Sequence, residues 1–326
     1  MNRTNATEEA FIERRIRNYK RWLRFGGLRD GAYWEDAFKT EIEQCLKSTP
    51  SVSLGILSGC LWSWSILYGT WGALRAASGS SCAGDYLKAS HEAILASVEV
   101  TSIHLWRMPG NERMRLAVRF FSAGIHAVLG LSAAVALGLS DLEERFWACC
   151  RFLGSSEACL DRDWSGRGFE REFLALYAQT RSGCSPLGRL PEVRGKRAYP
   201  LLMNSLERAD DWNKAMVDAC DYHMRNIVNS RSWDAEFALA PYDLIPIEIL
   251  ACQVLRSRLG FASTGFSPRL LELTPKWGVS DSPSPASHLI SAVEGVYATN
   301  GLSREAFYGQ FVDRSISRMT GTGPHC

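Results

Sequence analysis

The sequence predicts an all-α protein in which serial helical hairpins pack around two central apolar helices. Apolar residues recur at helical spacing along most of the 326 residues, and no segment shows the sustained alternation of a β-strand. Only Pro50 and Pro109 precede residue 186, so the first half can run as consecutive helices. Ten prolines fall in the last 141 residues and predict helices broken by longer loops. Although the sequence has no fixed-period repeat, such hairpins could still stack as a solenoid.

The individual helices follow from periodicity and from the turn residues between them. Residues 7–25 form the first, because Phe11, Tyr19 and Leu23 share one face and basic residues occupy the others. A helix over 85–107 begins with Asp85 as a candidate N-cap, since a carboxylate can accept hydrogen bonds from unpaired backbone N–H groups. The remaining predicted helices cover residues 34–47, 141–154, 169–181, 199–208, 211–229, 243–259, 286–297 and 303–315.

Two windows, 48–74 and 120–140, contain no Lys, Arg, Asp or Glu, and we predict that they form the two central helices. Each is long enough to cross a bilayer, which takes about 20 apolar residues. In the first window Gly and Ser residues confine the large apolar side chains to a stripe, and Gly55 and Gly59 have the spacing of a helix-packing face. The stripe comprises Leu57, Leu61, Trp64, Tyr68 and Trp71. A large helical protein also needs apolar helices at its centre, so we predict burial and keep a membrane-associated protein as an alternative.

The predicted organisation has an N-terminal helical region, 1–181, and a C-terminal helical region, 198–326. Between them lies a basic Gly/Pro loop, 182–197, which carries Arg189, Arg194, Lys196 and Arg197. This loop is the best candidate boundary, although we expect the two regions to form one continuous domain.

Composition excludes several classes of protein and predicts a cellular compartment. With 46% hydrophobic and 22% charged residues and a net charge of +2, the chain is neither disordered nor a strongly basic nucleic-acid binder. The basic residues of the first helix, beside Trp22, and those of the loop, beside Tyr199, are expected to be solvated surface. The ten cysteines are too sparse for a disulfide scaffold, so we expect buried, reduced thiols. Residues 1–13 show no secretory signal, and the expected location is the cytoplasm.

No motif predicts catalysis, a metal or a cofactor. Cys220 and His223 lie on one helical turn, but they supply only half a zinc site and are expected to be a core cysteine beside a hydrogen-bonded histidine. The pair His91-Glu92 lacks the second histidine of a zinc protease, and the Gly-rich segments lack phosphate-binding spacing. We therefore do not expect an enzyme. The alternative is an α-helical enzyme whose polar groups meet only in three dimensions, at an apolar pocket.

Four segments between residues 201 and 274 together resemble a known family. They read Leu201-Leu202-Met203-Asn204-Ser205-Leu206-Glu207-Arg208-Ala209-Asp210, then Trp212 and Met216 leading to His223, then Pro241-Tyr242-Asp243-Leu244-Ile245-Pro246 before a helix ending at Gly260, and Phe266-Ser267-Pro268-Arg269-Leu270-Leu271. This pattern is similar to the C-terminal half of the Immunity protein 49 family, bacterial antidotes to polymorphic toxins. The segment 231–240 departs from it by being shorter and less charged. Helical immunity proteins against DNase toxins are a near alternative, because Pro246-Ile247-Glu248 is similar to their helix start.

The resemblance implies an immunity protein that binds a cognate toxin effector, delivered by a competing cell or made by the producer, and neutralises it by stoichiometric occlusion. The expected partner is this toxin protein, without nucleic acid or membrane. Loops between helices can provide the aromatic and charged anchors of such an interface. We place the toxin-binding residues on two polar loops, at Asp161, Asp163, Trp164, Arg167, Trp233 and Asp234. The net charge of +2 does not favour a strongly acidic nuclease-blocking surface.

Overall fold

The computed structural model describes residues 3–24, 32–47, 50–107, 117–155, 169–181, 198–229, 240–262, 265, 268–273, 284 and 286–309. These residues form twelve α-helices and one short 3-10 helix, without any β-strand among them. The predicted all-α fold class is therefore confirmed.

The helices follow the order and approximate bounds that periodicity predicts. They are α1 (Arg3–Arg24), α2 (Ala32–Lys47), α3 (Pro50–Ala77), α4 (Ala83–Arg107), α5 (Ala117–Leu137), α6 (Ser140–Ser155), α7 (Glu170–Arg181), α8 (Ala198–Asn204), α9 (Ala209–Asn229), α10 (Ile247–Arg258), the 3-10 helix Arg269–Leu273, α11 (Ser287–Thr299) and α12 (Arg304–Gly309).

Several helix bounds differ from the prediction: α1 begins at Arg3 rather than at residue 7, α8 ends at Asn204 rather than at residue 208, and two further starts have a local cause. Asp85 is not an N-cap, because α4 begins at Ala83 and places Asp85 in its first turn, where a carboxylate still favours the positive end of the helix dipole. The helix expected from residue 243 begins at Ile247. The preceding residues form a turn instead, in which the N–H groups of Leu244 and Ile245 donate to the carbonyl oxygen of Pro241 at 3.1 and 2.9 Å.

Helix α4 lies at the centre of the described helices. The two uncharged windows become α3 and α5, and the apolar stripe of α3 is buried at Leu57, Leu61, Trp64 and Tyr68. Between them, α4 contacts α3, α5, α6 and α11, and most of its residues are buried. A helix packed on so many sides must bury polar residues too, and α4 buries Glu92 and Glu99. Within the described ranges, no helix is long and apolar enough to span a membrane.

Helices that are distant in sequence pack against one another. Helix α4 contacts α11, α5 contacts α10, and α1 contacts the 3-10 helix. In a simple solenoid each hairpin would contact only its neighbours, so these contacts describe a closed helical arrangement. They join helices on both sides of the loop 182–197, which itself lies outside the described residues.

Glycines permit the closest helix contacts. A Cβ added at Gly130 of α5 would lie 2.2 Å from the ring of Phe146 in α6. At Gly72 of α3 it would lie 2.7 Å from the side chain of Leu87 in α4. Because real Cβ atoms do not approach other atoms so closely, these positions need glycine for packing rather than for backbone conformation.

Candidate functional site

The residues predicted to bind a toxin lie outside the described part of the chain. Asp161, Asp163, Trp164 and Arg167 fall between α6 and α7, and Trp233 and Asp234 fall between α9 and the turn before α10. Their placement remains a prediction. The described residues offer a different candidate site, a cavity at the junction of α3, α4 and α5.

The cavity has a volume of about 330 Å³. Helix α3 contributes mainly small residues and one large aromatic residue. They are Leu54, Gly55, Ser58, Gly59 and Trp62. Helix α4 contributes polar residues and two apolar ones, Ser97, Val98, Thr101, His104 and Leu105. Helix α5 closes the cavity with Ala123 and His126.

Three hydroxyl groups form a hydrogen-bonded cluster on the wall between α3 and α4. The Ser58 hydroxyl lies 2.6 Å from that of Thr101 and 3.0 Å from that of Ser97. Thr101 donates to the carbonyl oxygen of Ser97, and Ser97 donates to that of Ser58, each at 2.8 Å. These bonds join the two helices along the cavity and fix the positions of the hydroxyl oxygens.

Another part of the lining is aromatic. The rings of Trp62 and His126 stack with their centroids 3.6 Å apart and their planes 11° from parallel. Burial lowers the pKa of His126 from its usual 6.5 to about 3, so the imidazole is uncharged at neutral pH. The described lining thus combines hydroxyl groups, imidazole rings and apolar surface, an arrangement that can hold a small molecule by hydrogen bonding and stacking.

Sequence reasoning identified none of these residues as a site. It assigned Gly55 and Gly59 to a helix-packing face, yet a Cβ added at Gly59 would have no neighbour within 4 Å. Trp62 lines the cavity with a half-buried side chain, unlike the fully buried Trp64. The available signal was the spacing of Gly55, Ser58, Gly59 and Trp62 on one face of the first window.

Outside the cavity, the buried carboxylates belong to ion pairs and hydrogen-bond networks. Glu143 of α6 accepts hydrogen bonds from Arg258 at 2.6 and 2.8 Å and from the Tyr177 hydroxyl at 2.8 Å. Burial alone would raise the pKa of Glu143, but the bonds from Arg258 and Tyr177 outweigh it and lower that pKa. Asp243 is likewise buried and contacts Arg15 and the Tyr19 hydroxyl of α1.

The half zinc site is part of another such network. The Nδ1 atom of His223 lies 2.7 Å from a carboxylate oxygen of Glu248, which also accepts a hydrogen bond from Tyr199 at 2.9 Å. Cys220 is buried nearby as a free thiol whose pKa is raised by burial, as expected for a core cysteine beside a hydrogen-bonded histidine. Tyr199 is itself buried. Among the described residues, no group of three or more His, Cys, Asp and Glu could hold a metal ion.

Comparison of the chain with protein families, with characterised proteins and with solved structures found no match.

Proposed function

We propose that the protein is an immunity protein, which binds a cognate bacterial toxin in the cytoplasm and neutralises it by stoichiometric occlusion. The observation that supports this proposal is a buried hydrogen bond between two elements of the Immunity protein 49 resemblance. His223, at the end of the second segment of the pattern, is bonded to Glu248, in the first turn of the Pro-led helix α10.

The other residues of the pattern also have physical roles. Gly260 has a φ of +86° and ends α10, where Phe261 N–H donates to the Arg256 carbonyl at 3.2 Å and Gly260 N–H to the Ser257 carbonyl at 2.9 Å. Leu270, after Pro268, donates its N–H to the buried Glu8 carboxylate of α1 at 2.8 Å. These contacts support the interpretation of the pattern as a fold signature.

An occluding antidote needs an interface of roughly 800 Å² on each partner and a few aromatic or arginine anchors at its centre. In this proposal Trp164 and Trp233 are the aromatic anchors, while Asp161, Asp163, Arg167 and Asp234 supply the charges around them. Binding of this kind requires no chemistry from the protein, since it removes the toxin's active site or assembly surface from reach.

Co-expression of this chain with the product of the neighbouring gene tests the proposal, which expects that product to be a toxin-domain protein. We expect a one-to-one complex on size-exclusion chromatography and growth protection of a host cell that makes the toxin. The double variant Trp164→Ala, Trp233→Ala is expected to weaken binding by 100-fold or more, because truncating one aromatic anchor alone commonly costs ~2 kcal/mol.

Trp22→Ala is the matched control. Trp22 is 42% exposed on α1 and is not one of the predicted toxin-binding residues, so its replacement should leave both affinity and protection unchanged. Failure of the wild-type chain to form any complex, or to protect, would refute the immunity function. A complex that survives the double variant would refute only the placement of the interface.

A further inference from the structure

The cavity between α3, α4 and α5 has the size of a binding site for a small molecule. Its volume of about 330 Å³ is at the lower end of the roughly 300–1,000 Å³ typical of ligand pockets. It is far larger than the roughly 30 Å³ that one water molecule occupies in the liquid. A molecule of one or two fused rings fits this space.

The charge of the cavity restricts the ligand further. Its described lining contains no Lys, Arg, Asp or Glu side chain, and the low pKa of His126 keeps that ring neutral. A phosphate or carboxylate held against these walls would find no Lys or Arg counter-charge among the described lining residues. The ligand that fits the described walls is therefore uncharged.

The hydroxyl cluster favours a ligand that donates a hydrogen bond. The hydroxyl protons of Ser97 and Thr101 are already donated to backbone carbonyls, and the Ser58 hydroxyl lies within bonding distance of Thr101 and of the Ser97 carbonyl. Their oxygens keep lone pairs that can accept. Within the described part of the chain no hydrogen bond joins His126, so its neutral ring offers one acceptor and one donor.

The aromatic wall favours a planar ligand. The rings of Trp62 and His126 stack face to face, so a ligand can contact only their edges or an outer face, and aromatic groups gain from such edge-on or stacked contact. We propose that this cavity binds an uncharged, planar heteroaromatic molecule with a ring N–H, which donates to the hydroxyl cluster and packs against Trp62 and His126. This site goes beyond the immunity function and does not depend on it.

Isothermal titration calorimetry of the full chain with three related probes tests this proposal. Indole is planar, uncharged and carries a ring N–H, and we expect a dissociation constant on the order of 10–100 μM for a molecule of about nine non-hydrogen atoms. Benzofuran has the same shape without the N–H and should bind at least tenfold more weakly. The anion indole-3-acetate should show no measurable binding at neutral pH.

Two variants locate the site. Gly59→Leu places a side chain in the open space at the cavity wall and should weaken indole binding at least tenfold without lowering the melting temperature. Gly295→Leu, at a helical glycine of α11 that also has no neighbour within 4 Å of an added Cβ, is the matched control and should bind indole as the wild type does. Thr101→Val removes one hydroxyl and should weaken binding of indole but not of benzofuran.

Three results would overturn the proposal. They are absence of indole binding to the wild type at millimolar concentration, equal affinity of Gly59→Leu and wild type, and equal binding of all three probes. Because the titration uses no toxin, these outcomes are distinguishable from failure of the immunity function.

Discussion

Glu99 shows how one buried carboxylate joins three helices. It is fully buried in α4 and accepts hydrogen bonds at 2.9–3.2 Å from Arg145 of α6 and Arg304 of α12. Glu99→Gln keeps the shape but leaves two guanidinium groups facing a neutral amide. Since removing one partner of a buried ion pair is strongly destabilising, we expect a loss of about 3–5 kcal/mol in the free energy of unfolding, measured by urea denaturation.

Glu144→Gln is the control for this prediction. Glu144 pairs with Arg181, but its side chain is 59% exposed, so the loss should be below about 1 kcal/mol. Equal losses for the two variants would contradict the role given to Glu99. Sequence reasoning had no means of finding this triad, because Arg304 is 205 residues from Glu99 and no periodicity connects them.

At the scale of single elements, the contact of α5 with α6 depends on Gly130. Alanine is a better helix former than glycine, yet a Cβ at position 130 would lie 2.2 Å from Phe146. We expect Gly130→Ala to lower the free energy of unfolding by about 1–3 kcal/mol, because overpacking displaces the ring or the helix. Thermal and urea unfolding would measure the change.

Gly295→Ala in α11 serves as the matched substitution. An added Cβ there has no neighbour within 4 Å, so the higher helix propensity of alanine should raise stability by about 0.5–1 kcal/mol. The two substitutions are chemically identical and should have opposite signs. A stabilising Gly130→Ala would show that α5 and α6 do not pack as closely as described.

Periodicity predicted the helices well, because each helix buries a face that its own residues reveal. Periodicity predicted the helix ends less well. Before α10, the N–H groups of Leu244 and Ile245 donate to the Pro241 carbonyl in a turn, so the helix begins later than predicted. Periodicity also missed the cavity. In the sequence, Ser58 and Gly59 only interrupt an apolar stripe. They line a cavity because α4 and α5 pack beside them, and the sequence does not show that packing.

For the whole molecule, the sequence predicted an all-α protein with apolar helices at its centre but not which helix would be surrounded. Helix α4 carries Glu92 and Glu99 and therefore looked less central than the uncharged windows. Its charges are accommodated because partners from α6, α12 and the region before α11 reach them, among them Ser284 at Glu92. The sequence alone does not predict these partners, because they lie on segments that are far apart along the chain and meet only in the folded protein.

Buried neutral histidines predict how the molecule responds to acid. His91 is fully buried in α4, where its Nδ1–H donates to the Leu87 carbonyl at 2.5 Å. Burial lowers its pKa from 6.5 to about 4, although the bond to Leu87 opposes the shift, and burial lowers that of His126 to about 3. Between pH 6.5 and 4 the unfolded chain therefore takes up protons at both positions while the folded chain does not.

The contribution of these two histidines to stability is thus fully present above pH 6.5 and decreases as the pH falls towards 4 and 3. Each can add up to about 1.4 kcal/mol per pH unit to the slope of the unfolding free energy against pH. We expect His91→Gln to reduce that slope by up to this amount between pH 6 and 4.5, in urea unfolding at a series of pH values. The double variant with His126→Gln should reduce it by up to twice as much. An unchanged slope in both variants would mean that the histidines take up protons without unfolding, and that α4 and α5 are more open to water than their burial indicates.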